Sequence, residues 1–192
     1  MQEFDDQGNV RLTSMLKTFF DILRLRAGPE DLPTSPRLLC GCFALLLLLQ
    51  GGLGSWLMSE ERNVFGQALI SGLISLAWLA LLLRLFGKPE RFTQTATAML
   101  GVACVFAPIG LPVIASITPE PGQPMAPSPL ALLAFVISLY LTYVNGRILR
   151  AALERPLFQC IVLFLIGEFL VFSLTPALGI GTPPPPSSPP AA

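Results

Sequence analysis

The chain has 192 residues, of which 53% are hydrophobic and only 12% charged, more apolar surface than a soluble domain of this size can enclose. Twelve basic residues balance twelve acidic ones and histidine is absent, so the sequence lacks the basic surface a nucleic acid requires, the commonest general base and the commonest metal ligand. The expected class is an all-α integral membrane bundle.

The first segment, 1–37, is expected to be cytoplasmic. Its opening MQEFDDQGNVRLTSMLK is polar and acidic, without the short apolar core and small-residue cleavage site of a signal peptide. Between Arg11 and Arg26 the pattern becomes amphipathic: Leu12, Met15, Leu16, Phe19, Phe20 and Leu23 recur at helical spacing, with Arg11, Ser14, Lys17, Thr18, Asp21 and Arg24 opposite. Such a helix either lies in the membrane interface, where its basic residues meet anionic lipid, or packs on the bundle as a short soluble helix. Gly28-Pro29 stops it, and Asp31-Leu32-Pro33 with Pro36 turns the chain towards the membrane.

Residues 38–178 hold the membrane domain. A helix needs about 20 apolar residues to cross a hydrocarbon core about 30 Å thick, at about 1.5 Å per residue. Five windows reach that length: Leu38 to Ser59, Asn63 to Leu83, Phe92 to Pro119, Pro121 to Gly146 with its helix starting near Leu130, and Pro156 to Leu178. In the first, Gly51-Gly52-Leu53-Gly54 marks a helix contact or a loosened helix end, and Trp56 suits an aromatic belt. Ala68 with Gly72, Ser71 with Ser75, Thr97 with Gly101 and Ala103 with Ala107 are small pairs four apart that permit close helix approach. In the third, Pro108, Gly110 and Pro112 remove backbone donors and predict a kink or partial unwinding, which shapes the bundle or frees carbonyls for a cation. Cys40, Cys42, Cys104 and Cys160 all fall in apolar runs and read as small buried hydrophobes.

At the inner end of the fourth window, Asn145, Arg147 and Arg150 either face an anionic headgroup or retain the loop by snorkelling. The fifth window carries Glu168 near its middle. A carboxylate in hydrocarbon is costly, which makes it a functional hypothesis by default. Counting inward from Arg155 sets it level with Ser138 and Tyr140, the expected hydrogen-bond partners. An interhelical polar clasp and a proton or ion relay are the two readings of this group. The tail 179–192, GTPPPPSSPPAA at its end, is expected to be disordered and outside.

Orientation follows from the basic residues, since cytoplasmic loops retain them. Five spans put eleven of the twelve on one side, leaving only Arg62 for the other. The N-terminus is therefore expected in the cytoplasm and the C-terminus outside, in the inner membrane.

The order of parts, an amphipathic segment followed by five close-set spans, resembles the Yip-domain family of small multispanning membrane proteins. The stretch FFDILRLRAGPEDLPTSPRLL, Phe19 to Leu39, is similar to the entry region of its bacterial members. Eukaryotic members are tied to Rab-type GTPases and carry a DLYGP-like motif; Gly28-Pro29-Glu30-Asp31-Leu32-Pro33 stands here instead, so no functional residue is carried over. No phosphate-cradling loop, nucleophile elbow, HExxH or paired carboxylate is legible, and no catalytic, cofactor or metal residue is expected. The expected role is that of a non-enzymatic membrane protein whose partners are the lipid bilayer and another membrane protein or a second copy. The alternative is a small transporter or channel component using Glu168 and the proline-bearing third span.

Overall fold

The computed structural model describes residues 17–26, 28–57, 64–117 and 128–178. These form an all-α bundle containing five helices long and apolar enough to cross a membrane. A short helical stretch, residues 17–23, comes first and is named α1. The five long helices are α2 (Pro36–Leu57), α3 (Val64–Leu85), α4 (Phe92–Ile117), α5 (Pro129–Leu153) and α6 (Leu157–Ala177). Of the N-terminal amphipathic pattern, residues 11–16 lie outside the described residues, as do 118–127 and the tail beyond Leu178.

Local chemistry sets the helix ends. Ser35 accepts from the Leu38 amide and Ser128 from that of Ala131, each followed by a proline whose missing amide is no loss in a first turn. After α3, Gly87 takes a left-handed φ of 70° with the Lys88 amide donating back to the Leu83 carbonyl, the glycine-terminated stop that saves a side chain from strain. Helix α5 runs seven residues past its expected limit at Gly146, because Arg147 to Leu153 continue a good helical sequence. It closes with Glu154 itself left-handed.

One end of the bundle collects the charged connections and is called the basic end here. Glu154 pairs with Lys88 at 3.0 Å and Arg91 at 2.6 Å, and Arg91 also donates to the carbonyls of Ala151 and Ala152. The connection between α3 and α4 is thereby tied to that between α5 and α6. Arg155 lies over the Phe86 ring, and Gln94 donates to the Leu32 carbonyl, which brings the entry to α2 to the same end.

Two apolar clusters fill the interior. One joins α1, α2, α4 and α5 through Phe19, Ile22, Leu46, Val102 and Val144; the other joins α3, α4, α5 and α6 through Leu83, Ala96, Leu149 and Cys160. In α1 the buried residues are Phe19 and Ile22, while Phe20 is 47% exposed. Phe19 lies against Gly101, whose missing side chain makes its seat. The predicted small pairs divide among several neighbours: Gly72 sits under Phe43, Gly101 under Phe19, and Ser71 meets Thr175 at 3.3 Å.

Two departures from regularity differ from expectation. The third span stays helical without interruption across Pro108, Gly110 and Pro112, so the predicted unwinding does not occur. Pro108 leaves the Cys104 carbonyl without its intrahelical amide, while the helix packs on α2 there, with the Cys104 thiol 3.3 Å from the Cys42 carbonyl. The irregular turn lies in α2, where Leu49–Leu53 form a π-helical segment. Buried positions there step from Cys42 to Leu46, then by five to Gly51 and by three to Gly54. Without side chains, Gly51 and Gly54 admit Phe65 and Val64 at the start of α3.

Candidate functional site: an intramembrane cleft beside Glu168

Burial along α5 is uneven. Its buried residues are Val144, Gly146, Ile148, Leu149, Ala152 and Leu153, all in the half at the basic end. From Pro129 to Tyr143 none is buried, and this half touches the rest of the protein through partly buried Leu141 and the Tyr140 hydroxyl. The resulting cleft, about 430 Å³, is walled by α4, α5 and α6 and reached by Gln50 from the π segment of α2. Val102, Phe106, Gly110, Leu111 and Phe164 make most of its surface apolar.

Five polar side chains line it: Gln50, Ser138, Thr142, Asn145 and Glu168. Three come from α5 at steps of four and three, which on a helix is one stripe. Thr142 donates to the Ser138 carbonyl and Asn145 to the Leu141 carbonyl, both at 2.9 Å. The Thr142 donor and one of the two Asn145 amide donors are thus satisfied within the helix, while the Thr142 lone pairs and the Asn145 amide oxygen remain as acceptors. Glu168 is set by its antiparallel helix level with Thr142, each about 16 Å from the basic end of its own helix at about 1.5 Å per residue.

Glu168 forms no hydrogen bond or ion pair with another described residue. The expected partnership with both Ser138 and Tyr140 therefore does not form. Ser138 shares the cleft with Glu168, but Tyr140 donates its hydroxyl to the Leu23 carbonyl of the N-terminal segment. The reason is geometric: residues two apart on a helix point in nearly opposite directions, so one acid is not met by both. The clasp joining α3 to α6 is built from other groups. Ser71 meets Thr175, and the Trp78 indole donates to the Leu163 carbonyl at 3.1 Å with its ring over Gly167. Glu168 is left on the surface between the cleft and a smaller hollow of about 50 Å³ beside Trp78.

Of the predicted kink residues, Gly110 lines the cleft, while Pro108 and Pro112, four apart, are exposed together on another side of α4. Asn145, read in the sequence with Arg147 and Arg150, belongs with the cleft instead. Gln50 and Thr142 were not singled out, although the spacing of Ser138, Thr142 and Asn145 is a polar stripe visible without a structure. Among the described residues no group of three or more His, Cys, Asp or Glu side chains is gathered as metal ligands would be. Comparisons with protein-family models, curated proteins and solved structures find no match to this chain.

Proposed function

We propose that this chain is a non-enzymatic multi-pass protein of the inner membrane, of Yip-like type, that binds another membrane component in the cleft beside Glu168. The N-terminus and the basic end lie in the cytoplasm and the C-terminus outside, a placement supported by the eleven-to-one distribution of basic residues over the five spans. The observation that carries the binding role is the convergence of Glu168 with hydroxyl and amide groups in a cleft that is otherwise apolar. Hydrocarbon offers such groups no partner, so an occupant bearing a hydrogen-bond donor gains there what lipid tails do not supply. Apolar walls exclude water and strengthen that contact.

A photo-crosslinking residue placed at Ser138 tests the reading in native membranes. A discrete adduct with a membrane protein or lipid is expected, weakened by Glu168→Ala. Absence of any adduct, or an adduct indifferent to Glu168→Ala, overturns it.

A second reading, a small transporter or channel component, is favoured by the same acid lying in a cleft walled by the proline-bearing α4. Proteoliposome flux that disappears in Glu168→Gln supports transport. No flux under proton or cation gradients removes this reading and leaves the first.

A further inference from the structure

A separate hollow of about 260 Å³ lies at the basic end, where the chain leaves α1 and crosses the side of α5. Arg26, Glu30, Asp31 and Arg147 line it over an apolar floor that includes Ile22 and Ile148. Two cations and two anions thus border one small space, yet they form no ion pairs with each other. The ion pairs among the described residues are those of Glu154 with Lys88 and Arg91.

Local structure sets where each group stands, with the Glu30 carboxylate lying back against Gly28. Leu25 is left-handed with φ 63°, a conformation costly for a branched side chain, and the Arg26 amide donates back to the Asp21 carbonyl. The chain therefore turns sharply and sets Arg26 at the rim. Asp31 is committed through one oxygen to the Gly28 amide at 2.9 Å. Arg147 rides on the anchored half of α5, among residues that are buried.

We propose that this hollow binds the headgroup of an ethanolamine phospholipid, with the phosphate against Arg26 and Arg147 and the ammonium against Glu30 and Asp31. Planar guanidinium forks match phosphate oxygens, and carboxylates accept from a primary ammonium. A purely anionic headgroup leaves the two carboxylates opposed. A choline headgroup has no N–H to donate to them. The position suits a lipid, since basic hollows at the ends of spans meet headgroups there. An apolar track continues from it: Tyr143 and Val136 lie four and eleven residues before Arg147 on one side of α5 and are 36% and 54% exposed. An acyl chain has a surface to follow, which a soluble phosphoamine does not use.

The test uses the full chain in mild detergent, titrated by native mass spectrometry with short-chain phosphatidylethanolamine, phosphatidylcholine and phosphatidylglycerol, and with free phosphoethanolamine. Phosphatidylethanolamine is expected to bind about tenfold tighter than the other two lipids, the scale of one charge-assisted hydrogen bond. Arg147→Gln weakens all three lipids by a similar factor, whereas Glu30→Gln weakens phosphatidylethanolamine most, phosphatidylcholine less and phosphatidylglycerol not at all. Both side chains are exposed, so these variants keep the fold. Equal binding of the three lipids, or binding indifferent to both substitutions, overturns the proposal. Free phosphoethanolamine binding as tightly as the lipid overturns the assignment to a lipid. None of the four charged residues lines the cleft, so failure here leaves the cleft reading standing, and the reverse holds too.

Discussion

Gly167 shows how much one absent side chain decides. It lies under the Trp78 ring, and the Trp78 indole reaches the Leu163 carbonyl one turn earlier on the same helix. A methyl group at 167 has no room unless that ring moves. Gly167→Ala is therefore expected to lower stability by about 1 to 3 kcal/mol, the usual cost of overpacking, read from unfolding in a denaturing detergent titration. Trp78→Ala removes the obstacle, so the double variant should lose less than the sum of the two single losses. Additive losses would show that Gly167 and Trp78 do not share this contact.

Among the elements, the N-terminal stretch is the one whose role changes most between sequence and structure. Its periodicity is legible, but whether its apolar side meets lipid or protein is not, since both environments select the same residues. Phe19 and Ile22 settle inside the bundle, and Tyr140 holds the Leu23 carbonyl. Gly101→Val should therefore unseat α1 while leaving the five long helices formed. Limited trypsin cleavage after Arg24 or Arg26 is expected to rise at least severalfold, with helix content nearly unchanged. Unaltered cleavage would mean that the Phe19 seat contributes little. The five long helices were readable from length and apolarity because lipid imposes both on every span. The π segment was not, since four-residue spacing carries the buried stripe of α2 only as far as Leu46, and Gly51 is reached by a step of five that periodic reading does not contain.

For the whole molecule, the basic end is the fixed point. Glu154 is held below the usual carboxylate range, first by its hydrogen bond from Lys88 and then by that from Arg91. A lowered value in the folded state means that this clamp contributes fully at pH above the ordinary glutamate range and is lost as the pH falls through the lower folded value. Unfolding rates should thus be flat from neutral pH down to the ordinary glutamate range and rise below it. Glu154→Gln should remove that acid-dependent part and show a higher rate at neutral pH. The same acid response in Glu154→Gln would assign it to other carboxylates. Salt should weaken the clamp, because Glu154 and both partners are partly open to solvent. The gathering of charge at this end was legible in the sequence. The cleft was not as a whole, because it depends on where α5 stops burying its side chains, although Ser138, Thr142 and Asn145 already trace its stripe.

That fixed end makes the fourth span a cantilever. It is clamped over Val144–Leu153, while the preceding fifteen residues bury no side chain fully and are tied by Leu141 and the Tyr140 hydroxyl, an arm of about 22 Å at about 1.5 Å per residue. Leverage then acts on the mouth of the cleft: a tilt of about 5° at the clamp moves the tip by about 2 Å, on the same helical rise. The width of the cleft beside Glu168 therefore follows the tilt of this arm.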